Sequence, residues 1–243
     1  MRGGAADKFD GQTTRVIRLT RNFDFKRGVM GLDSDTRRAW SAIYAEGHAR
    51  DEPNPLALAI RNAALELLRS GKIDEAEVVY REAITIDPSY AQAHGDLGLL
   101  YSRRGQLNEA ARELRTAKEL DFRQVAARTE LGLVLLRLGK EDEALWEFRE
   151  VLRVEPGLAL AHFGLGLILA RRNKIPDAIN EFREVARLEP KNGQAHLAMA
   201  GALYQAGRYG EAWEAVGQAR TRGVEAAPAF LKELGEKMAP PAR

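Results

Sequence analysis

Residues 131–156 read LGLVLLRLGKEDEALWEFREVLRVEP, and this stretch decides the fold of the chain. Its small and large apolar positions recur at a distance of 34 residues in both directions. Downstream they return as Leu165, Gly166, Ala178, Phe182 and Pro190, and upstream as Leu97, Gly98, Tyr101, Ala110 and Leu114. A fixed period of this length is typical of stacked repeat proteins, in which each unit buries its apolar face against its neighbours.

The composition limits the classes of protein to consider. The 243 residues carry 37 lysines and arginines against 35 aspartates and glutamates, so no strong net charge attracts nucleic acid. The absence of cysteine excludes disulfides, thiolate metal sites and cysteine nucleophiles. No apolar run is long enough to span a membrane, and no secretory signal is evident. A cytoplasmic location is expected; a peripheral place on a membrane complex, or the periplasm after removal of a leader, are the alternatives.

The first 55 residues lack the repeat. Residues 1–32 form a basic arm in which apolar residues alternate with other side chains, and its marked positions are Arg15, Ile17, Leu19, Phe23 and Phe25. The arm is either a solvated tail or a segment that docks on a partner, a membrane surface or a neighbouring copy. Within residues 33–55, a helix is predicted over 34–48, with Trp40, Ile43 and Tyr44 on one face. This helix is expected to cover the end of the array.

The repeat occupies residues 56–226 as five units of two helices each: 57–90, 91–124, 125–158, 159–192 and 193–226. A residue suited to the left-handed conformation follows each first helix; these residues are Gly71, Gly105, Gly139, Asn173 and Gly207. Residues 227–243 are predicted to form a C-terminal capping helix and a tail.

Small residues recur where helices should cross. Gly98, Gly132 and Gly166 stand inside first helices, where a glycine costs about 1 kcal/mol in propensity, so close helix contact is predicted. The second helices contribute small residues at one position, Ala76, Ala110, Ala144, Ala178 and Ala212, and large ones at another, Tyr80, Leu114, Phe148, Phe182 and Val216. Their charged residues, including Glu113, Glu147 and Glu181, are expected to form a solvated outer face with neighbouring arginines.

This pattern resembles the tetratricopeptide repeat family, whose signature is W-x-x-L-G-x-x-Y, then A-x-x-x-F, then P. The resemblance covers about 57–226. It implies an all-α, right-handed α-solenoid of about five helix-turn-helix repeats, with the N-terminal arm and helix and the C-terminal capping helix added. The tryptophan place of the signature holds Ile60, His94, Arg128, His162 and His196, and histidine is expected to be half-buried there.

In this family the first helices line a concave surface. The matching positions predict an apolar floor for a partner peptide or helix, made of Leu65, Leu99, Leu133, Leu136, Phe163, Leu167, Leu197 and Tyr204. Arg103, Arg137 and Arg171 lie near the ends of the same helices. They either form a basic rim of that groove or simply offset the helix dipoles.

The sequence contains no phosphate-binding glycine loop, nucleophile elbow or HExxH, and no catalytic residue, cofactor or metal is predicted. The histidines at the tryptophan place are one repeat apart, too far to share an ion. The expected function is a non-catalytic scaffold that binds a protein segment in the groove. The alternatives are a structural subunit of a larger complex, free or membrane-bound and anchored by the arm, or a groove occupied by Phe23, Phe25 or Trp40 of this chain or a second copy. The balance of charge argues against nucleic acid as a partner.

Overall fold

The computed structural model describes residues 53–121 and 123–240, and every regular element in these ranges is an α-helix. The predictions for the arm 1–32 and for the helix 34–48 lie outside the described residues. The chain divides into two compact units, residues 1–90 and residues 91–243. None of the helices in the described ranges combines the length and the apolar character that crossing a bilayer requires.

In the first unit, one helical hairpin is described: α1 (Pro55–Arg69) and α2 (Ile73–Ile86). Asn54 begins the hairpin, because its side-chain oxygen accepts a hydrogen bond from the Leu56 amide at 2.9 Å and Pro55 occupies the first helical turn. The Asn54 amide in turn donates to Asp87 Oδ2 at 2.9 Å, which ties the start of α1 to the end of α2. Asn54, which stands between Pro53 and Pro55, is therefore the N-terminal cap of α1.

In the second unit, four hairpins and a final helix follow the predicted period. The helices are α3 (Ala91–Arg103), α4 (Leu107–Leu120), α5 (Val125–Arg137), α6 (Glu141–Val154), α7 (Ala159–Arg171), α8 (Ile175–Leu188), α9 (Gly193–Gln205), α10 (Tyr209–Thr221) and α11 (Pro228–Lys237). Each helix of a hairpin packs on the other, and each second helix packs on the next first helix. The first helices of successive hairpins also contact each other, α3 with α5, α5 with α7 and α7 with α9. The prediction of an all-α solenoid is confirmed.

The turns inside the hairpins have the predicted conformation. Asn173 has φ of 58°, and the four glycines at the same place have φ between 73° and 77°. In each case, the backbone amide of this residue or of the next donates to a carbonyl in the last turn of the first helix, as in Gly139 N to Leu136 O at 3.2 Å. The tight turn makes the two helices of each hairpin antiparallel neighbours.

The glycines inside the first helices leave room for large side chains of the second helices. A Cβ at Gly132 would stand 2.7 Å from Phe148 Cε1, and one at Gly166 would stand 2.6 Å from Phe182 Cε1. Phe148 has a second such neighbour, because a Cβ at Gly164 of the next hairpin would overlap its ring. The prediction of close helix contact is confirmed: phenylalanine rings require it at Gly132 and Gly166, and Leu114 requires it at Gly98. The alanines and large apolar residues of the second helices are also buried, as predicted.

The final helix α11 closes the second unit. Phe230 stands 34 residues after His196, so α11 has the register of one more first helix. Leu234 is fully buried, and Phe230 packs edge-on against Tyr204 of α9 with ring centroids 5.6 Å apart. Trp213 Nε1 donates to the carbonyl of Met238 at 2.9 Å, which fixes the end of α11 on α10.

Candidate protein-binding site

A row of large apolar side chains stays partly exposed on the first helices of the second unit. We call this surface the first-helix face; its predicted members are Leu99, Leu133, Phe163, Leu167 and Leu197. Because α3, α5, α7 and α9 contact one another in order, residues one repeat apart lie on adjoining helices. Phe163, Leu167 and Leu197 pack on the buried core of the C-terminal hairpins while keeping part of their surface accessible.

Sequence analysis missed Leu160, which is 44% exposed near the start of α7. Leu160, Phe163 and Leu167 are spaced i, i+3 and i+7, which places them on one side of the helix. That spacing was available in the sequence, but the alignment of repeats hid it, since the equivalent positions of the second unit hold Gln92, Ala126 and Gln194, and among the other repeats leucine recurs only as Leu58 of the first unit. The apolar surface is therefore richest on α7.

Three predicted floor residues are placed differently. Leu136 is only 7% exposed and offers little surface to a partner. Tyr204 lies between Tyr209 and Phe230, with ring centroids 5.7 and 5.6 Å away, so the C-terminal helix covers part of it. Leu65 belongs to the first unit, where it is partly buried on α1.

The three rim arginines are exposed but not equivalent. Arg137 Nη1 donates to the carbonyl of Ser102 at 3.0 Å, and so links α5 to the end of α3. Arg171 Nη1 lies 3.5 Å from Glu141 Oε1, in an ion pair whose arginine side chain is 53% exposed. These contacts give Arg137 and Arg171 a structural use, and they leave Arg171 enough exposure to meet a partner carboxylate.

The first helices α7 and α9 carry fewer charged residues than α3 and α5. Helices α3 and α5 carry both signs, with Asp96 and Arg103 on α3, and Arg128, Glu130 and Arg137 on α5. Helix α7 carries Arg171 alone, and α9 reads GQAHLAMAGALYQ, with no aspartate, glutamate, lysine or arginine. The face therefore changes from a mixed-charge surface to an uncharged one.

Basic residues at the tryptophan place pair with carboxylates 19 residues later, inside the same hairpin. His94 Nδ1 lies 2.9 Å from Glu113 Oε2, and His162 Nδ1 lies 2.6 Å from Glu181 Oε2. The hydrogen bond from His94 is the main reason that the pKa of Glu113 lies below its usual value, and the charges of His94 and Arg112 act in the same direction.

The hairpin between these two has arginine at the tryptophan place. Arg128 Nη1 lies 3.6 Å from Glu147 Oε2, and Lys118 Nζ donates to Glu147 Oε1 at 2.7 Å. Glu147 is only 4% exposed. The prediction that Glu113, Glu147 and Glu181 belong to a solvated outer face is wrong, because each lies against the first helix of its own hairpin and has a side chain no more than 24% exposed.

His196 has lost this partner. Ala215 stands where the other hairpins of the second unit have glutamate, and both ring nitrogens of His196 are buried without a hydrogen-bond partner in the described structure. Burial lowers the pKa of His196, and the charge of Arg222 lowers it further. His94 and His196, at 7% and 8% exposure, are more buried than the expected half-burial. In the described ranges, no three histidine, aspartate or glutamate side chains are grouped as metal ligands would be.

The two-helix repeats match models of a known protein family. Sequence models described as tetratricopeptide repeat match residues 67–129, 129–181 and 163–228, which together extend over most of the two-helix repeats. Among curated proteins, none matches the sequence significantly.

Solved structures with the same fold include three with informative descriptions. PilF of Pseudomonas aeruginosa is 26% identical, with a TM-score of 0.65 over 74% of this chain and 83% of that one. PilW, described as a type IV pilus biogenesis factor, is 19% identical, with a TM-score of 0.68 over 76% and 87%. YrrB, described as having an unusual peptide-binding site, is 20% identical, with a TM-score of 0.61 over 82% and 98%.

Proposed function

This chain belongs to the tetratricopeptide repeat family, and we propose that it is a non-catalytic scaffold whose first-helix face binds a segment of a partner protein. The observation that carries the proposal is the row of partly exposed large apolar residues on four adjoining first helices. Large contiguous apolar surfaces are uncommon on monomers and mark interaction sites.

The physical basis of binding is burial of this apolar row. Each Å² of apolar surface removed from water contributes about 25 cal/mol before the costs of association. Leu160, Phe163 and Leu167 form a strip along one side of α7, and the ring of Phe163 is held at 5.8 Å from that of Phe182, so the strip is preorganised. An extended segment or an amphipathic helix can lie across such a row.

Two further observations support a scaffold. Three carboxylates of the second helices, Glu113, Glu147 and Glu181, are engaged by basic residues of the second unit and thereby join helices. The description of YrrB also attributes peptide binding to a protein of this fold. We extend protein binding to this chain as part of the proposal.

The test is affinity purification of the tagged full-length protein from its native cells, followed by mass spectrometry. The first variant is Leu133→Asp with Leu160→Asp, which places two charges in the apolar row. Leu160 is preferred to Phe163 because Phe163 also packs on Phe182. The matched control is Leu120→Asp with Val154→Asp, which changes two residues that are 41% and 53% exposed at the ends of second helices.

We expect the first variant to lose the partners that wild type recovers, while the control keeps them and both retain the wild-type circular dichroism spectrum. Equal recovery with both variants contradicts binding at the first-helix face.

A second candidate function is that of an assembly subunit anchored by the arm 1–32. It is favoured by the basic segment that begins at Arg15, in which Ile17, Leu19, Phe23 and Phe25 fall on alternate positions. The same purification with a chain comprising residues 33–243 tests it. Loss of a stable set of proteins on removing the arm supports anchoring, whereas recovery of the same set contradicts it.

A further inference from the structure

We propose that the partner segment carries one large uncharged apolar side chain, which seats over Gly201 of α9, and an acidic residue that faces Arg171 of α7. This inference rests on the proposed function and identifies the chemistry of its partner.

The apolar row is interrupted at Gly201. Leu99, Leu133 and Leu167 stand at one repeat position, and Gly201 takes that position in the next hairpin. A Cβ built on Gly201 would meet no atom within 4 Å, so the place of the missing leucine is open. Gly201 thus differs from Gly132 and Gly166, whose missing side chains make room for phenylalanine rings of this chain.

The surroundings of this open place are apolar. Leu167 on α7, Leu197 one turn earlier on α9, and Tyr204 one turn later are all partly buried and pack on the same core. Tyr204 is held by Tyr209 and Phe230, so its ring is a fixed wall. A leucine, methionine or phenylalanine side chain from a partner would be enclosed there much as Leu133 or Leu167 is enclosed in its own row.

Charge complementarity determines the rest of the partner segment. Helix α9 has no ionised residue, so a charged group over Gly201 would lose water without gaining an opposite charge. Arg171, on the adjoining helix α7, ends a first helix whose only charged residue it is, and 53% of its side chain is exposed. A carboxylate that reaches Arg171 would gain a charge-assisted hydrogen bond.

The spacing between the apolar anchor and the acidic residue of the partner follows from helix geometry. Neighbouring helices lie about 8–10 Å apart, and an extended chain advances about 3.3 Å per residue. The acidic residue is therefore expected about three residues from the apolar anchor in an extended partner.

The experiment uses a library of random dodecapeptides displayed on phage and selected on the full-length chain. The Leu133→Asp, Leu160→Asp variant serves for counter-selection. The best peptide is then synthesised with fluorescein and titrated by fluorescence polarisation against wild type, Gly201→Leu and Gly217→Leu. Gly217, in the second helix α10, is the matched control because its Cβ position is also open and both substitutions replace a helical glycine.

We expect enriched peptides to pair a large apolar residue with an acidic one about three positions away. Gly201→Leu should weaken binding by about tenfold or more, because the added side chain fills the anchor position, while Gly217→Leu should change the affinity by less than about twofold. Arg171→Gln should lower the affinity for the peptide that contains the acidic residue. It should not change the affinity for the same peptide in which that residue is replaced by its amide.

Each contrary outcome has a separate meaning. Peptides that bind Gly201→Leu as tightly as wild type, while still losing affinity for the counter-selection variant, overturn the anchor and leave the proposed function in place. Failure to enrich any peptide above counter-selection contradicts binding at the first-helix face, and the anchor with it.

Discussion

The contact between His94 and Glu113 joins the first and second helices of one hairpin at the place where the family signature has tryptophan. Glu113 has a lowered pKa, so it is ionised and accepts, which makes His94 Nδ1 the donor. At this position a histidine–glutamate pair stands where the family signature has tryptophan. The contact between the two helices therefore depends on pH.

The pH dependence gives a prediction for Glu113→Gln. A carboxyl group whose folded pKa is depressed stabilises the fold above its ordinary value near 4.5, and this contribution is lost as the pH falls through the folded pKa. Urea unfolding at pH 7, 5, 4 and 3 should show wild type more stable than the variant at pH 7, with the difference shrinking below pH 4.5. A difference that stays constant down to pH 3 would contradict the coupling. Glu119→Gln, an exposed glutamate on the same helix, is the control.

Sequence reasoning could not find this pair. Glu113 lies next to the buried positions Ala110, Leu114 and Ala117, at the edge of the apolar stripe of α4, where a charged residue usually points to solvent. Its direction is decided by the residue 19 positions earlier on another helix, and local periodicity carries no information about that residue. The turns, by contrast, could be predicted because a left-handed residue is a local requirement.

The junction between α6 and α7 is the element that sets the first-helix face in place. The Phe148 ring lies against Gly132 of its own hairpin and against Gly164 of the next, so one side chain contacts two first helices. Sequence analysis recognised Gly98, Gly132 and Gly166 by their repetition, and it missed Gly164 because no other repeat has glycine there.

Gly164→Ala should therefore destabilise the second unit. The added methyl would overlap the Phe148 ring in a closely packed junction, and the expected loss in the free energy of unfolding is about 1–3 kcal/mol. The control Gly217→Ala adds the same methyl to a helix at an open position, and should raise stability by up to about 1 kcal/mol. Urea denaturation followed by circular dichroism measures both. A neutral Gly164→Ala would show that the ring can move aside at little cost.

At the scale of the whole molecule, the described hairpins of the second unit obtain their stability from neighbours, as in other repeat arrays. The charges of the chain nearly balance, at 37 basic against 35 acidic residues, and much of the observed pairing is between side chains of one hairpin. The fold class could be predicted because the same packing problem is solved several times in one sequence. The partner-binding surface depends on the positions that differ between repeats, such as Leu160 and Gly201, and repetition gives no guide to these.

A substitution at the end of the array tests whether each hairpin obtains its stability from its neighbours. Leu234 is the one buried residue of α11, and Leu234→Ala should cost about 2–5 kcal/mol where the cavity cannot collapse. Because each helix relies on its neighbours, amide hydrogen exchange should accelerate in α9, α10 and α11 while α3 to α6 keep wild-type rates. Uniform acceleration throughout the second unit would indicate that it unfolds as a single cooperative body instead.

The position of Phe148 also determines how such a chain can be recombined. The sequence repeat runs from one first helix to the following second helix, yet the ring that belongs to residues 141–154 is received by Gly164 in the next repeat. An exchange of residues 125–158 between homologous arrays would separate the ring from half of its receptor. An exchange of residues 141–171 would keep Gly164 with the ring but separate the ring from Gly132, whereas an exchange of residues 125–171 would carry the ring with both glycines. The segment that keeps this contact whole is thus one helix longer than the repeat that is visible in the sequence.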